Sequence, residues 1–277
     1  ILKKIPVPEE VEELDLIEFF ANNKNEYEIN VVGAEKFFKN ASENEYEILD
    51  ASEYCPHDYR NGPAIPLKYY LVVEKLYDGH VNIKEFRRKL RLKYGAGAGQ
   101  TIPAIIPLSR GLGYIIGLFL ASGSVDCYGE NRLPRRVVFH LSKKLRDKVI
   151  SVIKSIGFDD EAVSMRCYSK STAPHIVIDN EMFAILLCEL VDGKIESENR
   201  TIPLNIALKA PREFREGILE GYWDGNRSVV HGDENACNII AINRDLAESI
   251  VLLAKSLGMD VSIHETVSYT HLTLPTN

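Results

Sequence analysis

The sequence is poor in several features that would mark a particular class of protein. Its five cysteines are scattered and form no CxxC pair, which argues against a zinc site and favours a reducing compartment, so we expect the cytoplasm. The longest strongly apolar run, IIGLFLA, is far too short to span a bilayer, and the start ILKKIPVPEEVEELD lacks the apolar core of a signal peptide. We therefore expect a globular protein without a membrane partner.

Net positive charge is also lacking, because the formal net charge is -7. That value alone argues against a nucleic-acid partner, but the charges are unevenly distributed. Residues 51–150 carry 17 basic and 8 acidic side chains, whereas the segments on both sides carry more acidic than basic ones. A basic middle could be the electrostatic footprint of a polyanion, or it could be an uneven solvated surface.

The first hundred residues have no repeat and change character along their length. Residues 1–60 hold short mixed segments with Asn-rich breaks, after which the pattern predicts helices over 66–77 and 83–94, separated by a turn. The glycines of YGAGAGQ then place a domain boundary near 94–102. We therefore expect 1–100 to be a mostly helical segment.

After that boundary the chain repeats itself. LSKKLRDKVISVIKSIGF at 141–158 aligns with INRDLAESIVLLAKSLGM at 242–259, and a glycine-containing apolar helix opens each copy. The pattern predicts helix, two strands and amphipathic helix in both copies, with two more strands and a helix in the first. Two copies of one mixed helix-and-sheet unit suggest a pseudo-two-fold monomer with the opening helices at its centre, built in an α/β or, more strictly, α+β class.

The second copy stops before its expected second half. We divide the chain into a first repeat at 101–200, an incomplete second repeat at 201–266 and a tail at 267–277. The tail, VSYTHLTLPTN, continues no pattern of the repeat, and we interpret it as a non-native extension, with a genuine short terminus as the alternative.

Glycine inside a helix costs roughly 0.5–1 kcal/mol relative to alanine, so Gly117 and Gly221 need compensation. Close approach of the two opening helices would supply it. Their carboxyl ends would then lie side by side, where acidic residues could hold a divalent metal next to a phosphodiester.

The residues at this point resemble a known family, the LAGLIDADG (DOD-type) homing endonucleases. IIGLFLASG at 115–123 and LEGYWDGNR at 219–227 match its two signature helices in spacing and apolar character, and the lead-ins PLSRGLGY and PREFREGI are also typical. Two repeats in a single chain resemble the endonucleases embedded in inteins. In such an endonuclease the resemblance implies the αββαββα repeat and cleavage of both strands of double-stranded DNA.

In that family each signature ends in an acid that binds the catalytic metal ion, usually Mg²⁺. The matching positions, catalytic and metal-binding by the resemblance, are Ser122 and Asn226. Asp224 stands at a further position that is often acidic, and Arg200 precedes a TIPL block at a position where lysine is usual. Serine and asparagine bring no charge to a hard cation. Losing both charges should lower the rate by several orders of magnitude, so we expect impaired cleavage and defective Mg²⁺ binding.

The family reads DNA with antiparallel strands laid in the major groove. The basic segment IKEFRRKLRLK and the strands after each signature are therefore candidates for phosphate and base contact. The predicted DNA-binding residues are Arg87, Arg88, Arg91, Lys93, Arg132, Arg135, Arg136, His140, Arg227 and Asn238.

Two functions remain open. The first is the endonuclease domain of an intein, with the host protein covalently flanking it; Ile1 is not a splicing nucleophile, so we expect no splicing by this segment alone. The second is a non-cleaving DNA-binding or regulatory protein on the same scaffold. A mixed helix-and-sheet protein with accidental motifs would not explain the duplicated pattern.

Overall fold

The computed structural model describes most of the chain in separate stretches. These are residues 10–22, 27–34, 64–76, 82–95, 99–141, 143–157, 163–166, 175–191, 197–226, 230–231, 237–238 and 241–263. Within them helices combine with antiparallel sheets, which confirms the predicted α+β class. None of the helices in these stretches has the length and apolar character needed to cross a membrane.

The part of the chain up to residue 107 contains both sheets and helices. The elements are β1 (Glu13–Asp15), α1 (Leu16–Ala21), β2 (Ile29–Val32), β3 (Ala64–Pro66), α2 (Leu67–Leu76), α3 (Ile83–Arg87), β4 (Arg91–Tyr94), β5 (Ile102–Pro103) and β6 (Ile105–Pro107). Strands β3, β2, β4 and β5 form one antiparallel sheet in that order, and β1 pairs with β6. Strands therefore accompany the predicted helices in the described part of this segment.

The helix predicted over 83–94 is shorter in the structure. It extends only to Arg87, and residues 91–94 form β4 in the interior of the four-stranded sheet. Leu92 is fully buried there, and β2 and β5 bond its strand on both sides, so tertiary pairing outweighs the helix propensity of the lysines and arginines. Because β5 follows the glycine-rich stretch, this sheet continues past the predicted boundary at 94–102.

The first repeat has the predicted αββαββα order. Its elements are α4 (Arg110–Ser122), β7 (Gly123–Tyr128), β8 (Leu133–Phe139), α5 (Lys143–Ser155), β9 (Val163–Arg166), β10 (His175–Ile178) and α6 (Glu181–Leu190). The sheet order is β7-β8-β10-β9, antiparallel throughout. Nearly every residue of α6 is buried, because one side packs on β8 and another meets β4 of the preceding sheet.

The second repeat begins in the same way. After a 3₁₀ turn at Ser197–Asn199, the elements are α7 (Leu204–Ala207), α8 (Arg212–Gly225), β11 (Val230–His231), β12 (Cys237–Asn238) and α9 (Arg244–Ser256). Helix α9 buries Leu246, Ile250 and Leu253, one stripe at helical spacing. The end of this repeat and the predicted tail at 267–277 lie outside the described residues, apart from the stretch to residue 263.

Helices α4 and α8 form the closest packed pair of the described fold. A Cβ added at Gly117 would lie 1.9 Å from the carbonyl oxygen of Ile218, and one added at Gly221 would lie 1.9 Å from that of Tyr114. No side chain fits at such distances, so the two backbones touch only because both positions are glycine. The close approach of the two helices, which was predicted to offset the cost of glycine inside them, is therefore present.

A second pair of glycines repeats this contact one turn earlier. A Cβ at Gly113 would lie 2.2 Å from the Phe214 carbonyl oxygen, and one at Gly217 would lie 2.2 Å from that of Arg110. In both pairs the residues are 104 positions apart and the contacts are reciprocal. This reciprocity is what a two-fold axis between the helices requires, as in a symmetric dimer interface.

Candidate active site

The carboxyl ends of the two central helices lie next to each other. Helix α4 passes at Gly123 directly into β7, and α8 ends at Gly225 with Asn226 as its cap. A Cβ added at Gly225 would lie 2.7 Å from the Cβ of Ala121 and 3.1 Å from Oγ of Ser122. The structure thus brings together the two positions that the sequence singles out.

The side chains at these two positions are neutral and bonded within their own helices. The Ser122 hydroxyl donates to the carbonyl of Leu118 at 3.4 Å. The Asn226 backbone N–H donates to the carbonyls of Tyr222 and Trp223. Burial raises the pKa of the Tyr222 hydroxyl to about 12, and a hydrogen bond with the Asn226 side chain opposes that rise. Both candidate residues therefore close a helix end.

Asp224 belongs to a different group of contacts. Its Oδ2 accepts hydrogen bonds from the Tyr114 hydroxyl at 2.9 Å and from Lys148 Nζ at 2.7 Å. The Lys148 ammonium also lies 4.3 Å from the centre of the Tyr114 ring, which adds a cation–π contact. Asp224 thus ties α8 to α4 and α5.

Glu220, one turn earlier on α8, extends the same network. It accepts hydrogen bonds from Lys148 at 2.6 Å and from Arg110 at 2.9 Å. Burial raises the pKa of Glu220, but the hydrogen bonds and charges of Lys148 and Arg110 outweigh this and hold it below its ordinary value. We call Arg110, Tyr114, Lys148, Glu220 and Asp224 the flank network.

The side chain of Arg200, which is distant from α4 in the sequence, caps the carboxyl end of that helix. It is 1% exposed, its Nη1 donates to the carbonyl oxygens of Phe119 at 3.2 Å and Gly123 at 2.7 Å, and its guanidinium lies 4.0 Å from the Phe119 ring centre. A cation bonded to the last carbonyls of a helix is stabilised by the helix dipole. The side chain predicted to be catalytic therefore fixes the end of α4.

The described residues do not make a carboxylate site at the helix ends. No group of three or more His, Cys, Asp or Glu side chains in the described stretches could hold a metal ion. Asp126, the next acid after Ser122, is bonded to Arg136 Nε at 2.6 Å within the β7–β8 hairpin. The ends offer a hydroxyl and an amide, donors too weak to hold Mg²⁺ without a carboxylate.

The basic residues predicted before the boundary face inward or pair with acids. Arg87 bonds both Asp15 and Glu74, and Arg88 bonds Glu13 at 2.8 Å. In β4, Arg91 donates to the backbone and hydroxyl of Thr101, and Lys93 is 7% exposed. The structure does not gather these four side chains on an open surface.

The β7–β8 hairpin presents its basic residues differently. Arg132 and Arg135 are exposed, and together with Arg136 they line a depression of about 430 Å³. His140, just past β8, contacts the Ser124 hydroxyl at 3.3 Å and the His175 ring. Four of the predicted DNA-binding residues therefore lie on or beside one ribbon that leaves the helix end.

The remaining predicted DNA contacts fall in the second repeat. Arg227 lies outside the described residues. Asn238 lies in β12, where it pairs with Val230 of β11.

Arg110, Tyr114, Lys148 and Glu220 are the members of the flank network that the sequence did not point to. The repeat alignment matches Lys148 with Ser249, so the duplication carried no signal of a charge there. A signal existed in α8 itself, since Glu220 and Asp224 are four residues apart and therefore share one helix face.

Comparison with known proteins gives the family context. Residues 201–271 match the homing endonuclease family. The chain is 24% identical over 156 residues to "DNA-directed RNA polymerase subunit Rpo1C" of Methanocaldococcus jannaschii, covering 56% of this chain and 17% of that protein. It is 26% identical over 170 residues to "ATP-dependent DNA helicase Hel308" of Thermococcus kodakarensis, covering 60% of this chain and 14% of that protein. The chain thus spans only a small part of either relative.

Proposed function

We propose, on the premise that residues 201–271 are a homing endonuclease segment, that this chain is the DNA-binding endonuclease domain of an intein, of the LAGLIDADG type, with cleavage lost or strongly reduced. The observation that carries the proposal is the close pair α4–α8, whose adjacent carboxyl ends hold Ser122 and Asn226 in place of acids. DNA is the proposed partner, and one chain supplies both halves of the pseudo-two-fold body.

The two relatives support the placement within an intein. One is named as an RNA polymerase subunit and the other as a helicase, and this chain covers 17% and 14% of their lengths. A module shared by two proteins with such different names fits an insertion better than a part of either activity. The host protein would then flank this chain covalently.

The impaired cleavage follows from the donors at the helix ends. Magnesium is held through carboxylates together with water and phosphate oxygens, and neither Ser122 nor Asn226 offers a carboxylate. Asp224, the nearest acid on α8, is bonded to Lys148 and Tyr114. The residues present at the helix ends therefore do not fit the ion.

DNA binding has its best support in the β7–β8 hairpin. Arg132, Arg135 and Arg136 line one depression on a two-stranded ribbon, and a ribbon of that kind fits the major groove. Arginines can bond guanine edges or neutralise phosphates. Duplex DNA bound there would run past the ends of α4 and α8, since β7 begins where α4 ends.

The same observations favour a second candidate, a DNA-binding or regulatory protein that does not cleave. This candidate has the same scaffold and the same hairpin. It differs in that the absence of the two acids would be part of its normal function, whereas in a former nuclease that absence is a defect. Restoring the acids separates the two, because a former nuclease retains the rest of its cleavage geometry.

The test is a cleavage and binding assay on duplex DNA that spans the insertion junction in the host gene. It compares the natural chain with the double variant Ser122→Asp, Asn226→Asp, with Mg²⁺ and with Mn²⁺. The control is Ser151→Asp, Asn205→Asp, which adds the same charge at exposed positions on α5 and α7. We expect binding without cleavage by the natural chain and by the control, and cleavage only by the restored variant.

Other outcomes would change the conclusion. Cleavage by the natural chain would mean that other residues hold the metal. Binding without cleavage by all three proteins would favour the non-cleaving regulator. Absence of DNA binding by the natural chain would contradict both candidates.

A further inference from the structure

A second cavity, of about 390 Å³, lies where the first hundred residues meet the first repeat. Its walls come from the end of β4, the stretch before β5, the end of β7 and the start of α6. The side chains that matter for the argument are Tyr94, Gln100, Tyr128, Arg135, Asp179 and Glu181. We call it the junction pocket.

The junction pocket is rich in hydrogen-bond acceptors. The Gln100 Oε1 atom is buried and makes no hydrogen bond to any described part of the chain. A buried acceptor without a partner is unfavourable, so a donor that reached it would relieve that cost. The Asp179 and Glu181 carboxyl groups flank the start of α6 and add further acceptors.

The residue between these two acids is already engaged. Asn180 Oδ1 accepts the backbone N–H of Phe183 at 3.0 Å as the cap of α6, and its amide group lies 3.5 Å from the Thr101 carbonyl. This contact links the start of α6 to the stretch that carries Gln100, so the acceptors of the pocket come from two segments that lie side by side.

Two tyrosines form the aromatic side of the pocket. Tyr128 is 39% exposed, and Tyr94, at the end of β4, is partly buried. Tyrosine rings beside acceptors offer apolar contact next to hydrogen-bonding groups, which suits the edge of a base that carries an amino group.

Arg135 connects this pocket to the hairpin. It lines both the junction pocket and the arginine depression of β7–β8, so the two are neighbours on one surface. A ligand that reaches both must combine negative charge or guanine acceptors with an amine donor a short distance away. A DNA duplex has this combination, since cytosine N4 and adenine N6 are donors in the major groove.

We propose that the junction pocket reads the exocyclic amine of a cytosine or adenine at the edge of the DNA footprint, with Gln100 and Glu181 as acceptors. This proposal rests on the DNA binding proposed above. It gives the first hundred residues a part in sequence recognition through Gln100 and Tyr94 rather than through the arginines of α3 and β4.

The experiment selects binding sites from a randomised duplex library with the full chain, followed by affinity measurements on the selected duplex and its single-base changes. The variants are Gln100→Met, which keeps the side-chain length, and Glu181→Gln, which removes the charge. The control is Glu248→Gln on α9, where the carboxylate pairs with exposed Arg244. Thermal melting of each protein verifies that it is folded.

We expect the natural chain and the control to prefer cytosine or adenine at one or two adjacent positions by about fivefold or more. Both pocket variants should lose that preference while they retain the preferences at the other positions. If Gln100→Met and Glu181→Gln keep the base preferences of the natural chain, the proposed role of the pocket is wrong, although the proposed DNA binding stands. If the natural chain binds no duplex, the proposed function fails and the pocket fails with it.

Discussion

The two flanks of the central helix pair share their backbone geometry but differ in chemistry. On one flank, Lys148 bonds Glu220 and Asp224. On the other flank the position equivalent to Lys148 is Ser249, 4% exposed, whose hydroxyl donates to the carbonyl of Leu246. The positions equivalent to Glu220 and Asp224 are apolar and buried; they are Ile116 and Leu120.

This difference shows which residues the pseudo-two-fold symmetry requires and which residues can vary. The glycine contacts are reciprocal to within a few tenths of an ångström, because backbone contact tolerates no alternative side chain. The residues beside them can be charged or apolar, provided that each set is satisfied where it lies. The glycine contacts therefore maintain the symmetry of the helix pair, whereas the side chains of the two flanks differ.

The glycines should give the largest effect. Gly117→Ala would place a Cβ 1.9 Å from the Ile218 carbonyl oxygen, and Gly221→Ala would do the same against Tyr114. We expect each change to lower the free energy of unfolding by at least about 3 kcal/mol, measured by urea denaturation, because neither backbone can withdraw without separating the helices. If reciprocity holds, the two losses should be similar.

Gly111→Ala is the matched control in α4. A Cβ there would meet side chains and no backbone, those of Ser155, Val152 and Ser109 at 3.2, 3.3 and 3.7 Å, and alanine is the better helix former. Its urea midpoint should stay close to that of the natural chain. An equal loss at Gly111 and Gly117 would mean that close helix approach does not explain the glycines.

The sequence predicted the central pair because its signals were local and duplicated. Gly117 and Gly221 are costly in an isolated helix, and only a close neighbour explains them. The strand at 91–94 could not be predicted in the same way, since it forms by pairing with β2, about 60 residues earlier, and with β5, beyond the glycine-rich stretch. The role of Arg200 could not be predicted from the sequence either, because its acceptors are backbone carbonyls about 80 residues away along the chain.

The two helix ends differ as the flanks do, and Arg200 tests that difference. Helix α4 depends on the buried guanidinium for two of its last carbonyls, whereas α8 closes through the backbone of Asn226. We expect Arg200→Met to lower the free energy of unfolding by about 2–3 kcal/mol, because buried hydrogen bonds from a charged donor are lost. Circular dichroism during urea unfolding would measure it.

Arg244→Met is the control for that prediction. This arginine is 75% exposed and pairs with Glu248 one turn away, so the change should cost less than about 0.5 kcal/mol. A small effect at Arg200 as well would show that the cap of α4 contributes little to stability.

A similar comparison can be made for DNA binding, between the β7–β8 hairpin and the opposite end of the helix pair. Arg135→Ala should weaken duplex binding by about fivefold and lower the slope of log affinity against log salt by about one, because one contact to DNA is removed. Arg212→Ala, at the start of α8 and so at the opposite end of the helix pair, should change neither quantity. Fluorescence anisotropy at several salt concentrations distinguishes the two results.

The smallest effect belongs to the charged flank. The lowered pKa of Glu220 means that its ionised form stabilises the fold above its unfolded value of 4.5, and that this contribution is lost as the pH falls through the lower folded value. Lys148→Met removes one of the two cations that lower this pKa, so the variant should lose less stability than the natural chain between about pH 6 and about pH 3. At neutral pH the cost should stay below about 1 kcal/mol, because Lys148 is 39% exposed and solvent screens its pairs. Lys154→Met, on the exposed face of the same helix, should leave the acid response unchanged; urea midpoints that fall in parallel for all three proteins would mean that the flank network does not set the pH dependence.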